Sequence, residues 1–192
     1  MTPSESFQAE ARGNIQRLSM DESLGEMTLD WMNRSAAYKY TYHFSSLGRP
    51  VIQYPQDIVA MQELIWRIRP DLVIETGIAH GGSLVMSAAN LALLDVCDAI
   101  EIGETINPRV SRRKVLGIDI DIRAHNRAAI EAHPMASRIQ MIEGSSIEPA
   151  VIAQVRHIAQ GYERVLVCLD SNHTHAHVLA ELVAYGATGY GG

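Results

Sequence analysis

DLVIETGIAHGGS, residues 71–83, sets a short apolar run ahead of three glycines and a serine. Leu72, Val73 and Ile74 have the length and composition of a buried strand. Gly77, Gly81 and Gly82 allow a tight turn, and SLVMSAANLALL from Ser83 onward reads as a helix. Strand, glycine-rich turn and helix in that order leave backbone N–H groups at a helix start, where missing Cβ atoms let a ligand approach the backbone closely. Nucleotide-like ligands use such places. The spacing is GxxxGG, which fits neither the dinucleotide fingerprint GxGxxG nor the phosphate loop GxxxxGK[ST], and no Lys follows the glycines. An ATPase or a dinucleotide enzyme is therefore disfavoured. A purely structural turn is the bland alternative. Against it stands Asp119, about forty residues on at the tip of the next strand, where a carboxylate can take a ribose diol.

The same unit recurs outward from this stretch. Residues 115–119 read as a second strand, after a charged surface interval at 98–114, and IRAHNRAAIEAH reads as its helix. Residues 138–142 form a third strand, followed by a turn at Gly144 to Ser146 and the helix EPAVIAQVRHIAQ. Residues 164–169 make a fourth apolar strand that ends on Asp170. Upstream, Ile58, Met61, Leu64, Ile65 and Ile68 recur at helical spacing from Asp57, and Pro70 ends that helix. Strands alternating with helices predict an α/β fold, a Rossmann-like parallel sheet covered by helices, with right-handed crossovers. Ligands gather at the carboxyl ends of such strands. Each end is polar here: Glu75, Asp119, Glu143 with Ser145 and Ser146, and Asp170. One acidic residue after a strand is usually a cap or turn former, whereas four along one edge are better explained by a ligand. The chemistry suggested is a nucleoside held by ribose and base contacts, with its remaining part over the glycine turn.

Composition bounds the rest. With 192 residues, 47% hydrophobic and 20% charged, the chain can bury a core as one domain. A net charge of −6 argues against a nucleic-acid partner, which normally meets a basic stripe, and Arg112, Arg113 and Lys114 read as a solvated face. No apolar run is read as a membrane span, and the N-terminus has no basic region followed by an apolar one, so a cytoplasmic protein is expected. Cys97 and Cys168 sit in apolar company and read as reduced core thiols. Residues 1–50 read as an N-terminal helical arm or lid, and 51–192 as the core. Tyr38, Tyr40, Tyr42, His43 and Phe44 either cover a ligand or fasten the arm to the core.

ETGIAHGGS, followed by GIDIDIR, IEGSS and LDSNHTHAHVLAEL, resembles the family of S-adenosylmethionine-dependent methyltransferases named after cephalosporin hydroxylase, which is also similar to rhamnosyl O-methyltransferases. The resemblance covers roughly residues 38–185 and implies a class I methyltransferase fold with S-adenosyl-L-methionine as cofactor. It implies that Glu75, Gly77, Gly81, Gly82 and Ser83 line the methionine end, that Asp119 takes the ribose hydroxyls, and that Ser145 and Ser146 lie by the adenine. Asp170 would match the first carboxylate of a magnesium site in metal-using members. The family's fold continues with another central strand ending in an acidic pair, then an antiparallel pair. The chain is therefore expected to lack the C-terminal strands, with an incomplete Mg2+ site and an exposed fourth strand that seeks a partner, a homo-oligomer being the expectation.

Methyl transfer asks for an acceptor hydroxyl in line with the sulfonium methyl and for a group that takes its proton. Asp170 is the candidate ligand and His173 the candidate base. After Asp170 the only carboxylate is Glu181, expected to point away down the following helix. His173, His175 and His177 also suit a helix start or a surface, and residues two apart on a helix do not converge on zinc. His80, inside the turn, either touches the cofactor carboxylate or holds the turn. The function expected is methylation of a hydroxyl on a sugar or other small molecule. The alternatives are a silent cofactor-binding or assembly module and a nucleotide-sugar enzyme on a similar sheet.

Overall fold

Leu72–Thr76 (β3), Lys114–Asp119 (β4), Ile139–Glu143 (β5) and Val165–Leu169 (β6) form one parallel sheet in the order β5-β4-β3-β6. The computed structural model describes residues 2–108 and 110–186. β3 lies between β4 and β6, and all five of its residues are buried, as expected of an apolar run without alternation. Pro55–Ile68 (α3), Gly82–Ile102 (α4) and Ala124–Glu131 (α5) supply one core with Val73 and Val115. Pro149–Ala159 (α6) and His175–Tyr185 (α7) supply a second core with Leu72, Ile74, Leu116 and Ile118. The two-residue period of the strands thus sends alternate side chains into cores on opposite faces.

Local chemistry sets the helix ends. Pro55 and Pro149 occupy first turns, where a missing N–H costs nothing. Arg69, with φ 51°, closes α3 by donating its N–H to the Ile65 carbonyl. α4 runs to Gly103, so residues 98–102, expected in a surface interval, are helical. The reason is that nothing before Gly103 breaks the helix, while Leu91 and Leu94 keep it on the core. α4 is also long and apolar enough by length and composition to cross a membrane, contrary to the expectation that no run qualifies. Its nine buried residues identify it as a core helix of the sheet.

Two further corrections concern loops. Residues 44–51 form a hairpin, Phe44–Ser46 (β1) against Arg49–Val51 (β2), turning at Leu47 and Gly48 with φ 47° and 86°. Leu47 is not a turn former, so the hairpin went unseen in the sequence. Arg113 is not solvated: it is buried, with Nη1 2.5 Å from Asp95 and Nη2 2.8 Å from Asp98. Buried Arg138 also reaches Asp95, at 2.5 Å. The Asp98 carboxyl carries a desolvation cost, yet Arg113 and Arg69 hold it below its ordinary range.

The chain divides into two compact units, Met1–Thr41 and Tyr42–Gly192. The first contains Pro3–Ser19 (α1), opened by a Thr2–Glu5 capping box, and Glu22–Ala36 (α2), capped by Asp21. Neither helix buries a residue, and Trp31 meets Tyr40 edge to face at 5.0 Å.

Candidate active site at the carboxyl ends of the strands

β4 and β5 lie to one side of β3 and β6 to the other, so the strand order reverses beside the glycine turn. Open α/β sheets bind ligands at such a switch point. Gly77, with φ 91°, donates its N–H to the Ile118 carbonyl at 2.7 Å. A Cβ there would collide with the carbonyl of Asp170, and one at Gly82 would collide with the carbonyl of Pro50. These absent Cβ atoms therefore admit the chain's own backbone, from the end of β6 and from the hairpin, where the sequence suggested room for a ligand. Asp119 is likewise engaged. Its Oδ2 accepts from the amides of Ile78, at 2.7 Å, and Ala79, at 3.1 Å, and its Oδ1 from that of Asp121, at 3.2 Å.

The hairpin braces the same turn. Arg49 donates to the His80 carbonyl from Nε at 3.0 Å and Nη2 at 2.6 Å, and from Nη2 to Asn126 Oδ1 at 3.2 Å. Asn126, buried on α5, donates to the Ala79 carbonyl at 2.9 Å. The His80 ring lies 3.4 Å from Asn126 Oδ1, so His80 is tied into the turn by both backbone and side chain. Sequence reasoning missed Arg49 and Asn126, because nothing local signals a partner thirty or more positions away.

Glu75, expected to line the cofactor's methionine end, is fully buried on β3 before the glycine turn and lines neither of the cavities described below. The Ser83 hydroxyl donates to its carboxylate. Burial pushes the Glu75 carboxyl up to about 8, Ser83 opposes this, and the Asp170 charge adds to it. Burial, then the same two carboxylates, push the Cys168 thiol up to about 12, so it stays a thiol. Cys97 is also free. Burial raises the Asp170 carboxyl, opposed by His173 and by a bond from Gln53, with the Asp57 charge adding to the rise. His173 Nε2 is 3.8 Å from Asp170 Oδ1 on a ring 78% exposed.

Among the cavities that Asp119 lines, two adjoin along Gly77 and Ser171. One of about 290 Å³ is lined by the turn, Gln53, Asp170 and His173. The other, of about 210 Å³, shares Gly77, Asp119 and Ser171 with it and adds Ile118, Ser145, Ser146 and His177. Glu181 does not point away: it is fully buried, and Oε1 accepts from Ser146 at 2.5 Å and Ser171 at 2.6 Å. His177, expected at a cap or surface, instead puts Nε2 at 3.1 Å from Ser146 Oγ, 3.2 Å from Ser171 Oγ and 3.4 Å from Glu181. Among the described residues no group of three His, Cys, Asp or Glu could hold a metal ion.

Fold and site together define an α/β protein with a ligand crevice at the switch point of a parallel sheet. The family described as Rhamnosyl O-methyltransferase/CmcI matches residues 38–189, and the chain belongs to it. Rhamnosyl O-methyltransferase of Mycobacterium tuberculosis (strain ATCC 25618 / H37Rv) is 31% identical over 130 residues, 66% of this chain and 44% of the relative. That of Mycobacterium leprae (strain TN) is 29% identical over 137 residues, 71% of this chain and 51% of the relative. The chain thus spans about half the length of the curated relatives it matches. Similar solved structures include "cmcI-N160 SAH", at 17% identity and TM-score 0.45 over 74% of this chain and 60% of that one. Another is "cmcI-D160 Mg-SAM", at 17% identity and TM-score 0.47 over 75% and 53%.

Proposed function

We propose that the chain binds S-adenosyl-L-methionine across the two cavities and methylates a hydroxyl of a sugar. The supporting observation is the family membership joined to a crevice of matching chemistry: a polar first cavity at the start of α4, a carboxylate at its middle, and a second cavity walled by Ile118, Ser145 and His177. The backbone amides at the start of α4 suit the carboxylate of the amino-acid end. Asp119, while accepting from Ile78, Ala79 and Asp121, keeps one lone-pair site on Oδ1 for a ribose hydroxyl. When bound, S-adenosyl-L-methionine supplies a methyl already activated for transfer. His173 takes the proton of the acceptor hydroxyl, and Asp170 beside it steadies the imidazolium that results.

The donor set does not make a magnesium site. Asp170 is one carboxylate, and Glu181 is committed to Ser146 and Ser171. Magnesium prefers several oxygen ligands in an octahedron, so binding weaker than about 1 mM is expected. No step of the mechanism passes through the ion.

Calorimetric titration with S-adenosylmethionine and S-adenosylhomocysteine, with and without magnesium, tests the binding. A transfer assay on rhamnosides and on phenols tests the acceptor class. Asp119→Ala should weaken cofactor binding about ten-fold or more through loss of a charge-assisted bond. An unchanged dissociation constant in a folded variant would remove the ribose assignment. Binding without turnover on either acceptor would favour a silent cofactor-binding module.

A further inference from the structure

The cluster of Ser146, Ser171, His177 and Glu181 does more than wall the second cavity. Both serine hydroxyls spend their hydrogens on Glu181 Oε1, so each offers His177 only lone pairs. The third neighbour of His177 Nε2 is the carboxylate itself. Three acceptors around one nitrogen require that nitrogen to carry a hydrogen. In a neutral imidazole Nδ1 is then a bare acceptor. No protein group among the described residues takes Nδ1, and the ring borders the cavity. Glu181 is fully buried, and its second oxygen, Oε2, is buried without a partner among the described residues.

We propose that His177 is a specificity-determining residue that reads the exocyclic amine of the cofactor's base, and that Glu181 is the positioning residue that sets its tautomer. An amino-bearing purine offers a donor to Nδ1, whereas the oxo group of hypoxanthine offers an acceptor and meets it lone pair to lone pair. A buried mismatch of this kind costs more than the matched bond gains. The inference rests on the reading of this crevice as a cofactor site with the base in the second cavity.

The test compares S-adenosylhomocysteine with S-inosylhomocysteine, which differ in the 6-amino or 6-oxo group and in the hydrogen that hypoxanthine carries on N1, at about pH 8.5, well above the range in which imidazoles ordinarily protonate. The wild-type chain should bind the adenine compound about ten-fold tighter or more. His177→Leu should erase the preference, weakening the adenine compound through the lost bond and strengthening the inosine compound through relief of the mismatch. Glu181→Gln, which keeps the buried shape but can donate to Nε2, should narrow the preference though it touches no ligand. Equal wild-type affinities, equal weakening of both compounds by His177→Leu, or an undisturbed preference in Glu181→Gln each overturn the proposal. Failure of the wild-type chain to bind either compound overturns the cofactor reading itself.

Discussion

Glu75 shows how a single buried carboxyl ties stability to pH. The folded chain holds its proton up to about pH 8, while the unfolded chain gives it up near 4.5. Between those values the folded state binds the extra proton, so stability falls as pH rises through the window and levels off above it. The slope from this group approaches about 1.4 kcal/mol per pH unit. Glu75→Gln should flatten it, leaving the variant more stable than wild type at the alkaline end by on the order of a few kcal/mol. Urea unfolding between about pH 5 and 8 checks this, and parallel curves for the two proteins would refute it. At this scale the sequence was informative about position and less so about use. Asp119 and Asp170 stand at strand tips because their strands could be read directly, yet nothing in the sequence showed that Asp119 grips two amides of the turn. Glu181 was misread for a related reason. Counting turns along α7 says how far a residue lies from Asp170, but not that the helix folds back to bring it onto Ser146 and Ser171.

Among the elements, strands and sheet-covering helices were legible because short apolar runs and 3.6-residue periodicity are local signals. The hairpin, and the burial of Arg113, depend on partners distant in the sequence. SRRK between two elements looks like a solvated run until α4 extends far enough to bring Asp95 and Asp98 to it. Breaking a buried ion pair by removing one partner leaves the others uncompensated, which typically costs about 3–5 kcal/mol. Arg113→Ala should therefore destabilise the chain by about 3 kcal/mol, with Arg138 retaining part of the hold on Asp95. The shift of the urea midpoint measures it. A loss below about 0.5 kcal/mol would mean the network is energetically idle.

For the whole molecule, β6 is the feature with the widest reach. Among the described residues it pairs only with β3, and all five of its residues are only partly buried while those of β3 are fully so. On α7 beside it, Leu179, Leu182 and Val183 are exposed. An apolar edge with a free ladder favours pairing with another chain. Concentration-dependent self-association is expected in sedimentation velocity, and a monomer across a wide concentration range, with slow exchange of the β6 amides, would contradict it.

The grip of Asp119 on the turn also decides where a ligand can be seen arriving. The Ile78 and Ala79 amides are already sequestered, so in hydrogen–deuterium exchange they should be slow before any cofactor is added. The leading amides of α4, at residues 82–84, lack acceptors within the helix. Binding should slow exchange at 82–84 while 78 and 79 hardly change. The tip of the glycine turn is thus a silent position for a labelling experiment, and the first turn of α4 is its reporter.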